Sequence, residues 1–213
     1  MSVSKVEICN IALQLIGDES IISLSDGTTQ AEQCNFRYDS ARRSVLEMHP
    51  WNFALSRGSL SLSATTPVFD FSHQFTLPND CLRVIATDKE LDTVYNSDPY
   101  FNGYKTIGFQ SSFAAGRDRY KIEGRNLLYD DDTCFILYLR NEENTTLFSP
   151  LFVEALALFL ASRIAYKITG SRSMERELLD EFDNYMVRIA RTVDAQQGTI
   201  ERSDTSRMLS VRV

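Results

Sequence analysis

The sequence predicts an α+β fold: a helical bundle built from the N- and C-terminal helices, with a central β-rich insertion and an extended C-terminal arm. Three observations predict it. Apolar residues recur at three- and four-residue spacing near both ends of the chain, the period of a helix with one buried face. Between Phe53 and Arg140 the period shortens toward two, the signature of strands. After Gly198 no period remains. The expected organisation is therefore residues 1–52 and 148–198 as the bundle, 53–147 as a β-rich portion with a long aromatic loop, and 199–213 as the arm.

The first helix is expected over residues 3–16, where Val6, Cys9, Leu13 and Ile16 share a face and Gly17 supplies a C-terminal stop. Ser25-Asp26-Gly27-Thr28 reads as a turn. Thr28 or Thr29 is the expected cap of the second helix, with Glu32 placed for a capping box on Thr29. That helix carries the stripe Ala31, Cys34, Tyr38, Ala41, Val45, Met48. Pro50 ends it, since the residue before a proline avoids the α region.

In the central portion, Ser59 to Leu62 alternates, and Phe75, Leu77 and Leu82 to Ile85 suggest further strands. Tyr120 to Glu123 and Asn126 to Tyr129 flank Gly124-Arg125, a hairpin by composition. Cys134 to Leu139 is β-branched and aromatic throughout and predicts a well-buried strand. The stretch from Tyr95 to Ala115 is rich in Asn, Gly, Ser and aromatics, and connections this long are usually functional or disordered.

Helical spacing returns after Ser149-Pro150. Phe152, Leu156, Phe159, Arg163 and Tyr166, with Leu151, Ala155, Leu158 and Ala165 beside them, predict a helix buried on more than one side and closed by Gly170. Ser171 or Ser173 is expected to cap a last helix running to Gly198. Its stripe is Leu178, Phe182, Tyr185, Ile189 and Thr192, beside Met186 and Val193. Residues 199–213 are polar, carry Arg202, Arg207 and Arg212, and predict an arm that orders only when it binds something.

Composition narrows the function. Lys and Arg number 22 against 29 Asp and Glu, a net charge of −7, so the chain lacks the overall footprint of a nucleic-acid binder. Cys9, Cys34, Cys81 and Cys134 form no C-x-x-C pair and read as reduced, buried residues, which fits folding inside a cell. Glu7, Asn10 and Gln14 interrupt any signal-peptide core, and the apolar run from Leu151 to Ala161 contains Glu154 and falls short of the ~20 residues of a membrane span.

The residues supply no obvious reaction chemistry. There is no G-x-S-x-G, no H-E-x-x-H and no phosphate-binding loop. His49 lies at a helix end, where the dipole favours it, and His73 stands between Phe71 and Phe75. Asp130-Asp131-Asp132 offers hard oxygen ligands for a divalent ion, or a solvated turn between strands. Glu123, Asp130, Glu142 and Glu143 are the carboxylates from which a glycan hydrolase would draw its pair. Trp51 is either an ordinary core residue or a hinge between the helical and β parts. No cofactor, metal or catalytic residue is expected. The candidate partner-binding residues are Tyr100, Phe101, Tyr104, Phe109 and Phe113 of the aromatic loop, with Arg202, Arg207, Met208, Leu209 and Arg212 of the arm.

Four local patterns, in order, carry a family resemblance. They are Asn10-Ile11-Ala12-Leu13 with Ile16-Gly17; Ser23-Leu24-Ser25-Asp26-Gly27-Thr28 with Ala31; Cys34, Tyr38, Arg42 and Leu46 followed by His49-Pro50-Trp51-Asn52-Phe53-Ala54; and Leu77-Pro78-Asn79-Asp80-Cys81-Leu82-Arg83-Val84. Over residues 6–84 the chain resembles the tail tubular protein A family, the head-to-tail adaptors of short-tailed bacteriophages; residues 95–213 share only the layout.

The resemblance implies a structural virion protein without enzymatic activity, part of the phage tail and assembled in the host cytoplasm. It implies a dodecameric ring between the portal protein and the tail nozzle protein, with DNA passing through the channel unbound and no membrane contact. An acidic subunit suits such a channel, because phosphates meet no ladder of Lys and Arg. A tail-associated glycan hydrolase and a helical scaffolding protein unrelated to phage are the alternatives.

Overall fold

A computed structural model describes residues 3–88 and 120–195 of the chain. The fold is mixed α+β, and the chain divides into two compact units. The first comprises residues 1–55 and 139–197; among the described residues, the second comprises 56–88 and 120–138.

The helical unit is built around its most apolar helix. Helix α1 spans Lys5–Leu15, α2 spans Thr29–Glu47 and α3 spans Pro150–Thr169. After α3 come α4, Arg172–Glu181, a π-helical turn at Phe182–Met186, and α5, Val187–Ala195. Helices α1, α2 and α4 all pack on α3. That follows from its sequence: from Phe152 to Ala165 only Glu154 and Arg163 are exposed, so α3 has to be covered on several sides. Ser149 caps it by accepting from the Phe152 N–H, Pro150 sits in the first turn where a missing N–H costs nothing, and Gly170 closes it at φ +73°.

The caps refine the expected helix ends. Helix α1 starts on a Ser4/Glu7 capping box, in which each side chain accepts from the other residue's N–H, and this bonding holds the Glu7 carboxyl below its usual range. For α2 the cap is Thr28, accepting from the Ala31 N–H, so the capping box expected between Thr29 and Glu32 does not form. Met48 is exposed at the α2 C-cap rather than on the buried stripe. Arg42 and Leu46 join that stripe instead. Arg163 and Tyr166 likewise face outward: Arg163 lies over the Phe159 ring, and the Arg172 guanidinium lies over Tyr166.

The expected single last helix is interrupted. A π turn holds one more residue than an α turn, so the buried stripe advances by one position beyond it. Leu178 and Phe182 are buried as the spacing predicts, but Ala190 and Asp194 then take the inward positions, while Thr192 and Val193 face solvent.

Apart from Leu55, Leu139 and Arg140, the strands belong to the second unit and form two sheets. Strands β1 (Leu55–Ser59), β7 (Phe135–Arg140) and β4 (Cys81–Thr87) form one, in the order β1-β7-β4. Strands β2 (Ser61–Leu62), β3 (His73–Thr76), β6 (Asn126–Tyr129) and β5 (Lys121–Glu123) form the other, antiparallel, in the order β2-β3-β6-β5. Its register pairs Phe75 with Leu127 and His73 with Tyr129. The β5–β6 hairpin turns at Gly124-Arg125 as expected, with Gly124 at φ +62°.

Leu60, Phe75, Leu77, Leu127, Tyr129, Cys134, Ile136 and Tyr138 make the core of this unit. Two expectations need correction. The alternating run from Ser59 to Leu62 is not one strand, because the chain changes sheets at Leu60, whose N–H donates to the Cys134 carbonyl. Strand β7 is not buried throughout: Ile136 and Tyr138 point into the core, whereas Phe135 is 49% exposed and Leu137 half-buried. On the face opposite Ile136 and Tyr138, cover increases along the strand, from exposed Phe135 through half-buried Leu137 to fully buried Leu139.

Candidate functional site

The sequence motifs fold into joints of the helical unit. Asn10 clamps the chain after α1: its amide donates to the Ile21 carbonyl at 3.0 Å, and its Oδ1 accepts from the Ile21 N–H at 2.8 Å. One Asp26 carboxylate oxygen accepts from the N–H groups of Ile22 and Ser23, both at 2.8 Å, and shapes the turn that delivers Thr28 to its cap position.

Arg42 is the deepest charged group, fully buried on α2. Its guanidinium donates to the Asn141 Oδ1 at 2.8 Å, to the Glu142 carbonyl and to the Glu143 carboxylate at 3.2 Å, with Asp39 at 3.6 Å. A buried cation needs this many acceptors, and here they fasten the 141–143 segment to α2.

The His49-Pro50-Trp51-Asn52-Phe53-Ala54 segment closes on the end of α5. Asp194, 5% exposed, accepts from the Asn52 N–H at 3.2 Å and sits 3.1 Å from the His49 Nε2. The Asn52 amide donates in turn to the Asp194 carbonyl. Trp51 is 1% exposed, donates from Nε1 to the Val45 carbonyl at 2.9 Å, and meets Phe152 edge to face at 5.1 Å. Phe53 and Phe148 complete that aromatic cluster on Phe152. Trp51 is thus a core residue of the helical unit.

The carboxylates considered for catalysis are each engaged locally. Glu142 is buried, accepting from Arg140 and from the Asn144 N–H at 2.9 Å, and Glu143 holds Arg42. Glu123 pairs with Lys121 at 2.7 Å on an exposed strand, and this hydrogen bond raises the lysine's pKa. Asp130 accepts from the Ser72 N–H at 3.1 Å, and the His73 Nε2 lies 2.9 Å from Asp132. The triple-Asp stretch is therefore a bonded turn between β6 and β7. Among the described residues, no group of three or more His, Cys, Asp or Glu is arranged to hold a metal.

The cysteines are free thiols. Cys9 on α1 and Cys34 on α2 are fully buried and share a hydrogen bond, which together with burial raises the Cys9 pKa. Burial, then the carboxylates of Asp88 and Asp131, push Cys134 up to about 12. The hydrogen bond with Cys9 lowers the Cys34 pKa against its burial, but with both thiols fully enclosed neither meets a reagent or substrate in the folded unit.

The expected partner-binding residues Tyr100, Phe101, Tyr104, Phe109, Phe113, Arg202, Arg207, Met208, Leu209 and Arg212 lie outside the described residues, as does the arm. Within the described residues of the second unit, two apolar surfaces stand out. The connection between β2 and β3 carries Val68 and Phe69, 96% and 74% exposed. A hollow of about 340 Å³ opens over Gly58, Phe135 and Leu137, rimmed by Arg57 and Asp88. Only position-by-position exposure reveals these, and the lone sequence signal was Pro67-Val68-Phe69-Asp70, an apolar pair inside a turn-rich stretch. Among the described residues no helix is long and apolar enough to cross a membrane. No family model matches the chain, and no curated protein matches it.

Proposed function

We propose that the chain is a structural adaptor: one subunit of a homo-oligomeric ring that joins a phage portal to a tail nozzle and leaves a channel for DNA. The observation that carries this reading is the ordered set of four patterns over residues 6–84 in which the chain resembles the tail tubular protein A family. Their most distinctive residues are joints rather than reactive groups. Asn10 clamps the α1 exit, Asp26 and Thr28 shape the entry to α2, Arg42 holds residues 141–143, and His49, Trp51 and Asn52 tie the chain to α3 and Asp194. A resemblance carried by such positions speaks for a shared architecture. In that architecture the N- and C-terminal helices form a bundle, the β-rich portion is an insertion, and residues 199–213 are an arm that orders on a partner. The role is non-enzymatic and the place of action is the virion tail.

The test is assembly. The full-length protein is mixed with the portal ring of the same genome and imaged by electron microscopy with symmetry averaging. A ring of twelve copies stacked on the portal is the expected result. Absence of binding at micromolar concentration, or cleavage of peptidoglycan that is lost in Glu123→Ala or Asp130→Ala, overturns it.

A further inference from the structure

Two of the four thiols have each other for a neighbour. Cys9 on α1 and Cys34 on α2 are fully buried, and their side chains share a hydrogen bond. Both are free thiols. Each sits among the buried positions of its helix, between Ile8 and Ala12 on α1 and between Ala31 and Tyr38 on α2. A lone buried cysteine is an inert packing residue. What singles this pair out is contact. Two cysteines can be bridged when their backbones lie close and their side chains face one another. Thiols that share a hydrogen bond already face one another, so closure asks for side-chain rotation and a small approach of the two helices.

A bond at this place has structural consequences. Helices α1 and α2 each pack extensively on α3 but only lightly on one another. Their other direct ties are weak: an exposed ion pair between Lys5 and Asp39 at 3.8 Å, and the Lys5 ammonium over the Tyr38 ring. A covalent link between Cys9 and Cys34 would be the strongest direct tie between the two helices. It would also close residues 10–33 into a loop, with the Asn10 clamp on Ile21 and the Asp26 turn inside it. A cross-link stabilises a fold largely by restricting the unfolded chain.

We propose that Cys9 and Cys34 are a latent disulfide: reduced as the protein folds, they oxidise to a bond that staples α1 to α2 when the protein meets a small-molecule disulfide. Because both thiols are enclosed, the reaction runs through transient opening of the α1–α2 seam. One cysteine, as its thiolate, attacks a sulfur of the small disulfide. That S–S bond breaks, and the expelled thiolate takes the proton the cysteine released. The second cysteine attacks the protein sulfur of the mixed disulfide and expels the other small thiol in the same way. Two protein thiols lose two hydrogens, and one small disulfide becomes two small thiols. This goes beyond the adaptor reading and stands without it. Within that reading, a particle built in a reducing cell and released into an oxidising medium would acquire the bond after assembly.

The test uses the native chain, so no variant has to fold. Full-length protein is equilibrated with reduced and oxidised glutathione at pH 8, in native buffer and in concentrated urea. It is then quenched with acid, alkylated in denaturant and digested with trypsin. Cys9 and Cys34 fall in one tryptic peptide, residues 6–37, and Cys81 and Cys134 fall in others. The bond is therefore read directly by mass spectrometry, as a 6–37 peptide that takes no alkyl group and is two hydrogens lighter. The exchange equilibrium favours the bond in native buffer over urea by about a hundredfold, because the fold holds the two sulfurs together. By linkage, the purified oxidised protein has an unfolding constant lower by the same factor, read as a raised urea midpoint. Equal exchange constants in the two solvents overturn the proposal. So does a native protein whose 6–37 peptide carries glutathione on each cysteine, or two alkyl groups at every ratio of oxidised to reduced glutathione. Assembly is a separate outcome: a protein that forms the bond yet ignores the portal sinks the adaptor and leaves the staple, whereas one that rings the portal and stays reduced does the reverse.

Discussion

Val45→Asp tests the packing of α2 on α3. Val45 is 1% exposed, and its carbonyl receives the Trp51 indole. Removing the two methyl groups costs about 1.6 kcal/mol at ~0.8 per buried carbon. Burying a carboxyl group without partners adds ~1–3 kcal/mol even when it is neutral. Keeping it neutral at pH 7 against an unfolded-state pKa of about 3.9 costs up to ~4 kcal/mol more, at ~1.4 per unit. The total, roughly 7 kcal/mol, rivals the ~5–15 kcal/mol that holds a domain together. The sign with pH follows. The folded-state pKa of the new Asp lies above the unfolded value, so the ionisation penalty is absent below about pH 4 and grows as pH rises toward the folded pKa. Urea melts followed at 222 nm therefore show the helical unit unfolded or nearly so at pH 7 and partly recovered near pH 4.5, relative to the parent at each pH. Val45→Ala, which lacks the charge, loses only ~2 kcal/mol and shows no such pH dependence. A Val45→Asp protein that melts within a degree or two of the parent at pH 7 refutes the buried seam.

Arg42→Ala leaves the Glu142 carbonyl and Asn141 without their donor and opens a void, for an expected loss of about 3 kcal/mol in urea melts; less than 1 kcal/mol means the guanidinium is dispensable. Asp194→Ala cuts α5 loose from Asn52 and His49, so amide exchange accelerates across Val187–Ala195 with little change in α3; uniform exchange rates in both proteins argue against that anchor. In the native protein a thiol reagent at pH 8 labels half-buried Cys81 first, while Cys134, its pKa pushed to about 12, and the buried Cys9 and Cys34 react only on unfolding; simultaneous labelling of all four contradicts the packing. Deletion after Gly198 leaves melting unchanged and abolishes assembly on the portal; unchanged affinity and stoichiometry reduce residues 199–213 to a passive tail.

What the sequence determined is local. The three-four stripe from Ala31 to Val45, the stops at Gly17 and Gly170 and the turn at Gly124 each follow from the chemistry of a few neighbouring residues, and each stands where it was expected. Tertiary structure decided everything that depends on a partner distant in the chain. Arg42 lies off the expected apolar stripe, and only residues 141–143, about a hundred positions away, supply the acceptors that let it be buried. Asp194 faces inward because a π turn eight residues earlier rotates the stripe, and because His49 and Asn52 wait there to receive it. Phe135 and Leu137 read as core because their run is uniformly apolar; only the pairing of β7 between β1 and β4, with the core on one side, leaves them lining an open hollow. Periodicity records which faces a chain can bury. Which of them it does bury depends on how much covering surface the rest of the fold provides.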